Sequence, residues 1–408
     1  MKRTNIMVVA GDPSGDANAA DLVRALAGMI PAAQFDSGPA VQPLTTPLAP
    51  RFFGAGGPKM AAAGVELAFD LTQDAAIGVG GLLGMLPKLL RRRNELLRWA
   101  AERQPELIIL VDYGGFNLRF AGAVRQYLRQ HAGTFFNWSP KIVQFISPQV
   151  WASRPRRANV MARNYDLVLS MFQFEKDWFA ARVPQLPVEF VGHPLLDRYP
   201  DPLRAAARAS EAQPPVVLLL PGSRRGEIAR HVPIMLAAAA QIAARQPVQF
   251  KMVVPDDAMA ALARPFVDAA TPKLDLQIAG LAQVLPSATI AITKTGTVTL
   301  ECACFGIPAI ALYKADPVTY FVGRRIVTAK YLSMPNLLAG EAVYPELIQG
   351  EATPANIAAA ALDLLGNPSR REEVRGKLAK VVQSLGAPGA THRAAAAAVK
   401  LLGQRLNS

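Results

Sequence analysis

VVLLLPGSRRGE, Val216 to Glu227, is the stretch on which the reading of the chain turns. Five consecutive apolar residues, Val216 to Leu220, read as a strand buried on both faces of a parallel sheet. The chain then bends through Pro221 and Gly222, presents Ser223, Arg224 and Arg225, and enters an Ala-rich helix near Glu227. The first N–H groups of a helix lack partners, its dipole favours negative charge, and a guanidinium grips phosphate through two bonds. Gly222, Ser223 and Arg224 are therefore expected to hold the diphosphate of a nucleotide sugar. An ordinary βα turn with surface arginines competes with this reading, because the turn is neither a P-loop nor a GxGxxG fingerprint.

Composition sets the frame around that turn. A chain of 408 residues predicts two or three domains, and 51% hydrophobic against 18% charged residues supports a large core. Two cysteines, Cys302 and Cys304, sit two apart in one helical pattern, with no CxxC, so a reducing cytoplasm is expected. Four scattered histidines have no ligand spacing, so no metal site is expected. The N-terminal apolar run is too short for a signal peptide and leads into Asp12 and Asp16, which fits a first strand better. No uninterrupted run of ~18 apolar residues occurs, as a membrane span requires. A net charge of +13 points to acidic partners: nucleic acid, anionic lipid or a phosphorylated substrate.

Outward from the central stretch, strands and helices alternate in both halves. Asn5 to Gly11 reads as a strand, and GDPSGD (Gly11 to Asp16) as a tight turn opening a helix. Its small residues suit close approach of a ligand, or Asp and Ser there simply cap the helix. Asp36 to Pro50, with four prolines, reads as a surface insertion, and FFGAGGPKM as a strand end with a Gly-rich turn. Ile77 to Trp99 couples Leu82, Leu83, Met85 and Leu86 to Arg91, Arg92 and Arg93, while Pro87 and the glycines weaken a regular helix in its first half. That pattern suits contact with an anionic membrane surface, or a core helix with a solvated basic end; the charge of the whole chain favours lipid.

Leu107 to Val111 is another continuous apolar strand, and it ends at Asp112 before YGGFN. In open α/β sheets ligands bind beyond the carboxyl ends of strands. Asp112 is thus placed to accept a proton from a substrate hydroxyl, or else to cap the next helix. Further strands are expected at Lys141 to Ser147, Asp166 to Ser170 and Val188 to Val191. The basic segment VWASRPRRANVMAR, Val150 to Arg163, carries no nucleic-acid fold signature, so no nucleic-acid partner is expected. Asp197 to Pro215 reads as a linker, and strands recur at Phe250 to Val254, Ile290 to Thr293 and Ala309 to Tyr313. The expected fold is α/β: two Rossmann-like, doubly wound parallel-sheet domains facing across a cleft. The expected domains are 1–200 and 212–370, with C-terminal helices 371–408 packing back toward the first.

TKTGTVTLE, Thr293 to Glu301, supplies a second nucleotide element: a Gly turn at Gly296 and a helix start with Thr297 as N-cap. Glu301, one turn on, is placed to accept both hydroxyls of a ribose, and Asn336 in SMPNLLAG to bond a base or ribose.

Nine motifs now stand in order: GDPSGD, FGAGG, VDYGGFN, ISPQVW, DLVLS with FEK, GHPL, LLPGSRRGEI, TGTVTLE and YLSMPNLLAG. With them the chain resembles the lipid-A-disaccharide synthase family, inverting glycosyltransferases of GT-B architecture, from about Ile6 to His392. The resemblance implies transfer from UDP-2,3-diacylglucosamine to 2,3-diacylglucosamine 1-phosphate (lipid X), giving the β-1,6 disaccharide 1-phosphate and UDP without cofactor or metal. It makes Asp112 the general base on the acceptor 6-hydroxyl, and it matches Arg224, Glu301 and Asn336 to positions that hold UDP. Ser14, Asp16, Asn117, Ser147 and His193 lie in its acceptor-side or cleft loops. It implies a cytoplasmic protein held peripherally at the inner membrane, and leaves homodimerisation open. Departures are Gly115 where a second Asp is common, Gly81 for Glu, Ser153 for Trp, Gln173 for Pro and Lys294 for a small residue. The competing readings are another UDP-sugar GT-B enzyme, including a UDP-sugar 2-epimerase, and a polyanion-binding protein without catalysis.

Overall fold

The structure, a computed structural model, describes residues 4–33, 49–73, 82–201, 204, 213–326 and 329–406. Most of the expected 36–50 insertion, Gly81 and much of the expected linker therefore lie outside the described residues.

The elements follow in chain order as β1 (Asn5–Ala10), α1 (Pro13–Ala33), β2 (Arg51–Gly56), α2 (Pro58–Ala62), β3 (Glu66–Asp70) and α3 (Leu82–Arg103). Next come β4 (Leu107–Val111), α4 (Gly114–Gln130), β5 (Lys141–Phe145), α5 (Val150–Ser153), α6 (Arg157–Asn164), β6 (Leu167–Ser170), α7 (Gln173–Ala180), β7 (Val188–Phe190) and α8 (Leu195–Arg198). The chain continues through β8 (Val216–Leu220), α9 (Arg225–Ala243), β9 (Gln249–Val254), α10 (Asp257–Asp268), β10 (Asp275–Ile278), α11 (Leu281–Val284), β11 (Ile290–Lys294) and α12 (Thr297–Cys304). It ends with β12 (Ala309–Tyr313), α13 (Pro317–Ile326), α14 (Met334–Ala339), β13 (Glu346–Ile348), α15 (Pro354–Gly366), α16 (Pro368–Ser384) and α17 (Ala390–Leu406).

Two compact units result: residues 1–197 with 387–408, and residues 198–386. The first holds a seven-stranded sheet in the order β3-β2-β1-β4-β5-β6-β7, the second a six-stranded sheet in the order β10-β9-β8-β11-β12-β13, and every ladder is parallel. Each order reverses once, at β1/β4 and at β8/β11, which is the doubly wound Rossmann plan. Ala10 pairs with Val111 and Thr293 with Leu220, so the two tips at each reversal lie side by side.

Both faces of the first sheet are covered, which is why its strands read as unbroken apolar runs. Met7, Val9, Ile108 and Leu110 pack with Leu96 and Ala100 of α3 and Phe120 of α4. Ile6, Val8 and Ile109 pack on the other side with Leu22 and Leu26 of α1 and Ala394, Ala398 and Leu402 of α17. Each fully buried aliphatic side chain contributes about 1.5–3 kcal/mol. The start of α17 is pinned by the Asp197 carboxylate, which accepts from the amides of Gly389, Ala390 and Thr391. Of the C-terminal helices, α17 thus belongs to the first unit, whereas α16 packs on α12 and α14 in the second. In the second unit Val217, Leu219, Ile292 and Leu312 pack with Ile228 and Met235 of α9 and Ile357 and Ala361 of α15.

One local expectation is corrected. The segment around Pro87 is a continuous helix from Leu82, with Pro87 inside it. A proline removes one i→i−4 bond, and the apolar face that follows, through Leu96 and Ala100, holds the helix against the sheet.

Candidate active site

The tip of β4 carries Asp112, and its backbone is unusual. Asp112 (φ 49°) and Tyr113 (φ 42°) both occupy the left-handed region, which costs a non-glycine residue roughly 1–2 kcal/mol. Surrounding amides impose the bend. The Asp112 carbonyl accepts from Asn117 Nδ2 at 2.8 Å and Gln144 Nε2 at 3.1 Å, and Asn117 also reaches the Val111 carbonyl at 3.1 Å. Asn117 and Gln144 are both fully buried, so these amides form a fixed cradle under the tip.

The glycines of GDPSGD make room for it. A side chain at Gly11 would strike the Tyr113 ring, with Cβ 2.0 Å from Cδ1, and a Cβ at Gly15 would stand 3.7 Å from that of Asp112. Asp12 caps α1, accepting from Gly15 N at 2.5 Å. The N-cap of α4 is Tyr113 and no side chain caps it, so the Asp112 carboxyl does not serve that helix. Burial first, and the neighbouring Asp12 charge second, push the Asp112 carboxyl up to about 7, against a bond from the Tyr113 amide. A carboxylate near neutrality at a sheet reversal is suited to general-base work.

At the second reversal the turn is closed by its own glutamate. The amides of Ser223 and Arg224, expected to face a phosphate, donate to Glu227 Oε2 at 2.9 and 3.2 Å. Glu227 Oε1 pairs with Lys294 Nζ, from the tip of β11, at 3.0 Å. Gly222 (φ 122°) is required here, since its Cβ would fall 2.3 Å from Glu227 Oε2. Burial opposes ionisation of Glu227, but Lys294, the Ser223 amide and Arg224 outweigh it and hold the carboxyl below its ordinary value. The signal was present, because a Glu three residues after an N-cap is half of a capping box. Ser223, Arg224 and Arg225 are themselves exposed.

His231, passed over in the sequence, is fully buried and ties this turn to the next strand tip. Its Nδ1–H donates to the Pro221 carbonyl at 2.7 Å and its Nε2 accepts from Lys314 N at 3.2 Å. Burial pushes the imidazole pKa down, keeping it neutral in that role.

Gly296 (φ 131°), not Thr297, is the N-cap of α12; Thr297 is the first helical residue and exposed. No side chain caps this helix start; Thr299 Oγ1, inside the first turn, donates back to the Gly296 carbonyl at 2.6 Å. Glu301 accepts from Tyr199 O–H at 2.7 Å. Burial raises its carboxyl above the ordinary value, with the Tyr199 bond and the Arg198 charge pulling the other way.

The comparisons with known proteins bear on this geometry. A profile of the lipid-A-disaccharide synthetase family matches residues 6–400. The chain belongs to that family. A lipid-A-disaccharide synthase of Geobacter sulfurreducens is 35% identical over 406 residues, covering 98% of each chain. Among solved structures, one from Listeria monocytogenes described as a UDP-N-acetylglucosamine 2-epimerase aligns with TM-score 0.61 at 17% identity, covering 98% of this chain and 96% of that one. Acinetobacter baumannii MurG aligns with TM-score 0.56 at 15% identity, covering 98% and 100%. At such identities these two show the fold alone, which is of the GT-B type.

Several residues matched to the family have structural tasks. Asn336, expected at a base or ribose, is fully buried, and both ends of its amide are taken within the unit. Nδ2 donates to the Tyr344 carbonyl and to Glu346 Oε1, both at 2.8 Å, while Oδ1 accepts from Val343 N at 2.9 Å and Tyr344 N at 2.8 Å. Four bonds occupy the whole amide within the fold. Asp16 accepts from the amides of Gly57, Lys59 and Met60 and so caps α2. Ser147 is buried and donates to Pro148 O at 3.3 Å, and His193 Nδ1 accepts from Leu195 N at 3.1 Å, whereas Ser14 is exposed.

Gly115 is exposed, and a side chain there would meet nothing within 4 Å. Of the expected membrane residues, the side chains of Leu82, Leu83, Met85 and Leu86 lie outside those described. Arg91 is exposed, Arg92 lies 4.2 Å over the Phe69 ring and pairs with Glu95, and Arg93 bonds Asn94. Glu175 of the FEK motif is also buried; it accepts from Trp151 Nε1 at 2.9 Å and contacts Ser170 Oγ, and burial raises its carboxyl to about 7.

Proposed function

We propose that the chain is an inverting hexosyltransferase joining UDP-2,3-diacylglucosamine to 2,3-diacylglucosamine 1-phosphate. The observation that carries this reading is Asp112, held at the β1/β4 reversal in a forced backbone conformation with its carboxyl near neutrality. Asp112 takes the proton of the acceptor 6-hydroxyl as that oxygen bonds the anomeric carbon. The anomeric bond to the diphosphate breaks, and its electron pair leaves with UDP. One base and one displacement invert the centre.

The second unit supplies the donor grip. Arg224, Arg225 and Lys294 oppose the single Glu227 carboxylate, so the turn keeps positive charge for a departing diphosphate. Electrostatic stabilisation of such a leaving group is the largest contribution expected of a site like this. Glu301 is assigned to the ribose hydroxyls through the oxygen that Tyr199 leaves open, and Gly296 and Thr297 to the nucleotide at the start of α12.

Peripheral attachment to an anionic inner-membrane surface is part of the proposal, through Leu82, Leu83, Met85 and Leu86 with the basic run from Arg91 to Arg93. Among the described residues no helix is long and apolar enough to cross a membrane. The test is direct: incubate the purified chain with both acyl sugars and follow disaccharide 1-phosphate and UDP by mass spectrometry. Absence of the disaccharide with both substrates present, in detergent and in vesicles, refutes the reading.

A further inference from the structure

Four arginines lie toward one corner of the first unit, and among the described residues none is paired with a carboxylate. Arg119 stands on α4, and Arg154, Arg156 and Arg157 lead into α6. Arg119, Arg154 and Arg156 are exposed and Arg157 is half-buried. Among the described residues none of the four enters an ion pair, while the nearby Asp166 is taken by Arg125.

Packing brings them together. Arg125 Nε donates to the Asn164 carbonyl at 3.1 Å, and a Cβ at Gly122 would lie 3.7 Å from Asn164 Nδ2, so the C-terminal end of α6 meets the middle of α4. Both helices run the same way, because α4 starts from the carboxyl tip of β4 and α6 ends where β6 begins. Following both toward their starts reaches Arg119 and Arg157 at a similar level on the two helices. Arg157 N donates to the Arg154 carbonyl at 2.9 Å, so the two belong to one turn. Burial first, and the charges of Arg154 and Arg119 next, push the Arg157 pKa down, as expected of guanidinium groups gathered together.

Like charges held together without a counter-ion cost free energy, and they are relieved by an anion. Arg157 is the first residue of α6, where the helix dipole favours negative charge, and Arg119 stands in the second turn of α4. The cluster lies toward the carboxyl end of the sheet, the end at which Asp112 stands. Arg119 is about 7.5 Å along the helix axis from the start of α4, the scale of one hexose ring.

We propose that Arg119, Arg154 and Arg157 form a binding site for a phosphate monoester, the phosphate of the acceptor sugar whose hydroxyl faces Asp112. This rests on the acceptor reading above, and it adds the group that selects a phosphorylated acceptor over a neutral one. Three guanidinium groups match a dianion with three free oxygens better than the single charge of a phosphodiester lipid.

The test compares the full chain with Arg119→Gln, Arg157→Gln and the conservative Arg157→Lys, each checked for folding by thermal melting. Turnover is measured with an acyl glucosamine acceptor bearing 1-phosphate and with its 1-O-methyl analogue. The native chain should prefer the phosphate by tenfold or more in kcat/KM. Each Gln variant should lose about 10–100-fold of that preference, chiefly through KM, with partial rescue by Lys. Equal losses on both acceptors, or an unchanged preference, overturn the site. Cosedimentation with phosphatidylglycerol vesicles separates the alternative source: loss of vesicle binding with the preference intact assigns the cluster to lipid and overturns the proposal. Calorimetry with soluble glucosamine 1-phosphate keeps the two readings distinct. If no disaccharide forms at all, binding that is lost in both Gln variants still supports the site, and binding they leave unchanged, or no binding, refutes it.

Discussion

Lys294 Nζ and Glu227 Oε1 meet at 3.0 Å across the tips of β11 and β8, while the other Glu227 oxygen closes the amides of Ser223 and Arg224. An acidic side chain thus lies where the helix start would otherwise offer its N–H groups to a phosphate. The pair tunes the donor turn from both signs. Glu227→Gln should tighten UDP binding and Lys294→Ala should weaken it, each by roughly tenfold, since a single charge–charge hydrogen bond is worth about 1.5–3 kcal/mol. Isothermal titration with UDP decides the matter. Changes of the same sign in both variants would mean that the pair acts only through the shape of the turn.

The pair also sets an acid limit. A carboxyl held below its ordinary value contributes stability above the unfolded pKa and loses it as pH falls through the folded one. Native protein should therefore lose stability relative to Glu227→Gln as pH drops below the ordinary glutamate range, where the folded pKa lies. Melting temperatures of both proteins across that range give the comparison.

Asn336 separates a structural from a ligand-binding role. With four hydrogen bonds inside the fold, Asn336→Ala strands the Val343 and Tyr344 amides in a buried place. The expected loss is about 2–4 kcal/mol in denaturant unfolding. A melt like that of the native chain, combined with lost UDP affinity, would show that the amide serves the ligand instead.

Gly115 offers the reverse case. Its exposed, open position at the second residue of α4 should accept Gly115→Asp without strain, and a carboxylate near a helix start adds about 0.3–1 kcal/mol. The added negative charge, three residues from Asp112, should move the pH–rate midpoint upward. A downward shift would mean that the new carboxylate does not act on Asp112.

How far the sequence revealed this arrangement depends on what each element buries. β4, β8 and β12 were read with their observed bounds because central parallel strands must be apolar throughout. β3, β10 and β13 carry no such run: each lies at a sheet edge with mostly half-buried or exposed residues, as in DLQI. Asp112 was visible as a carboxylate at a strand tip. Its forced conformation was not, since the cradle comes from Asn117 and from Gln144 on another strand. Lys294 and Glu227 stand 67 residues apart in sequence, so their bond belongs to the sheet order rather than to any motif. Asn336 is ambiguous in sequence, because an amide suited to a base is equally suited to a carbonyl and two peptide N–H groups.

Asp112 carries the last prediction, in which activity and stability move in opposite directions. Its carboxyl is raised to about 7 from 3.8, so the folded protein favours the protonated form. Linkage then gives stability that is fully present below the unfolded pKa and falls as pH rises toward the folded one. Above pH ~7 the native state holds a half-buried carboxylate beside Asp12, at a cost on the order of a few kcal/mol. Asp112→Asn removes that charge and keeps the shape. It should melt higher than the native chain at pH 8, and the advantage should vanish near pH 4. Turnover should fall by about two to four orders of magnitude, with UDP affinity retained. Native turnover should climb with pH through about 7, as the base becomes available. A flat pH–rate profile, or an Asn variant that melts lower at pH 8 and still turns over, would place the base elsewhere.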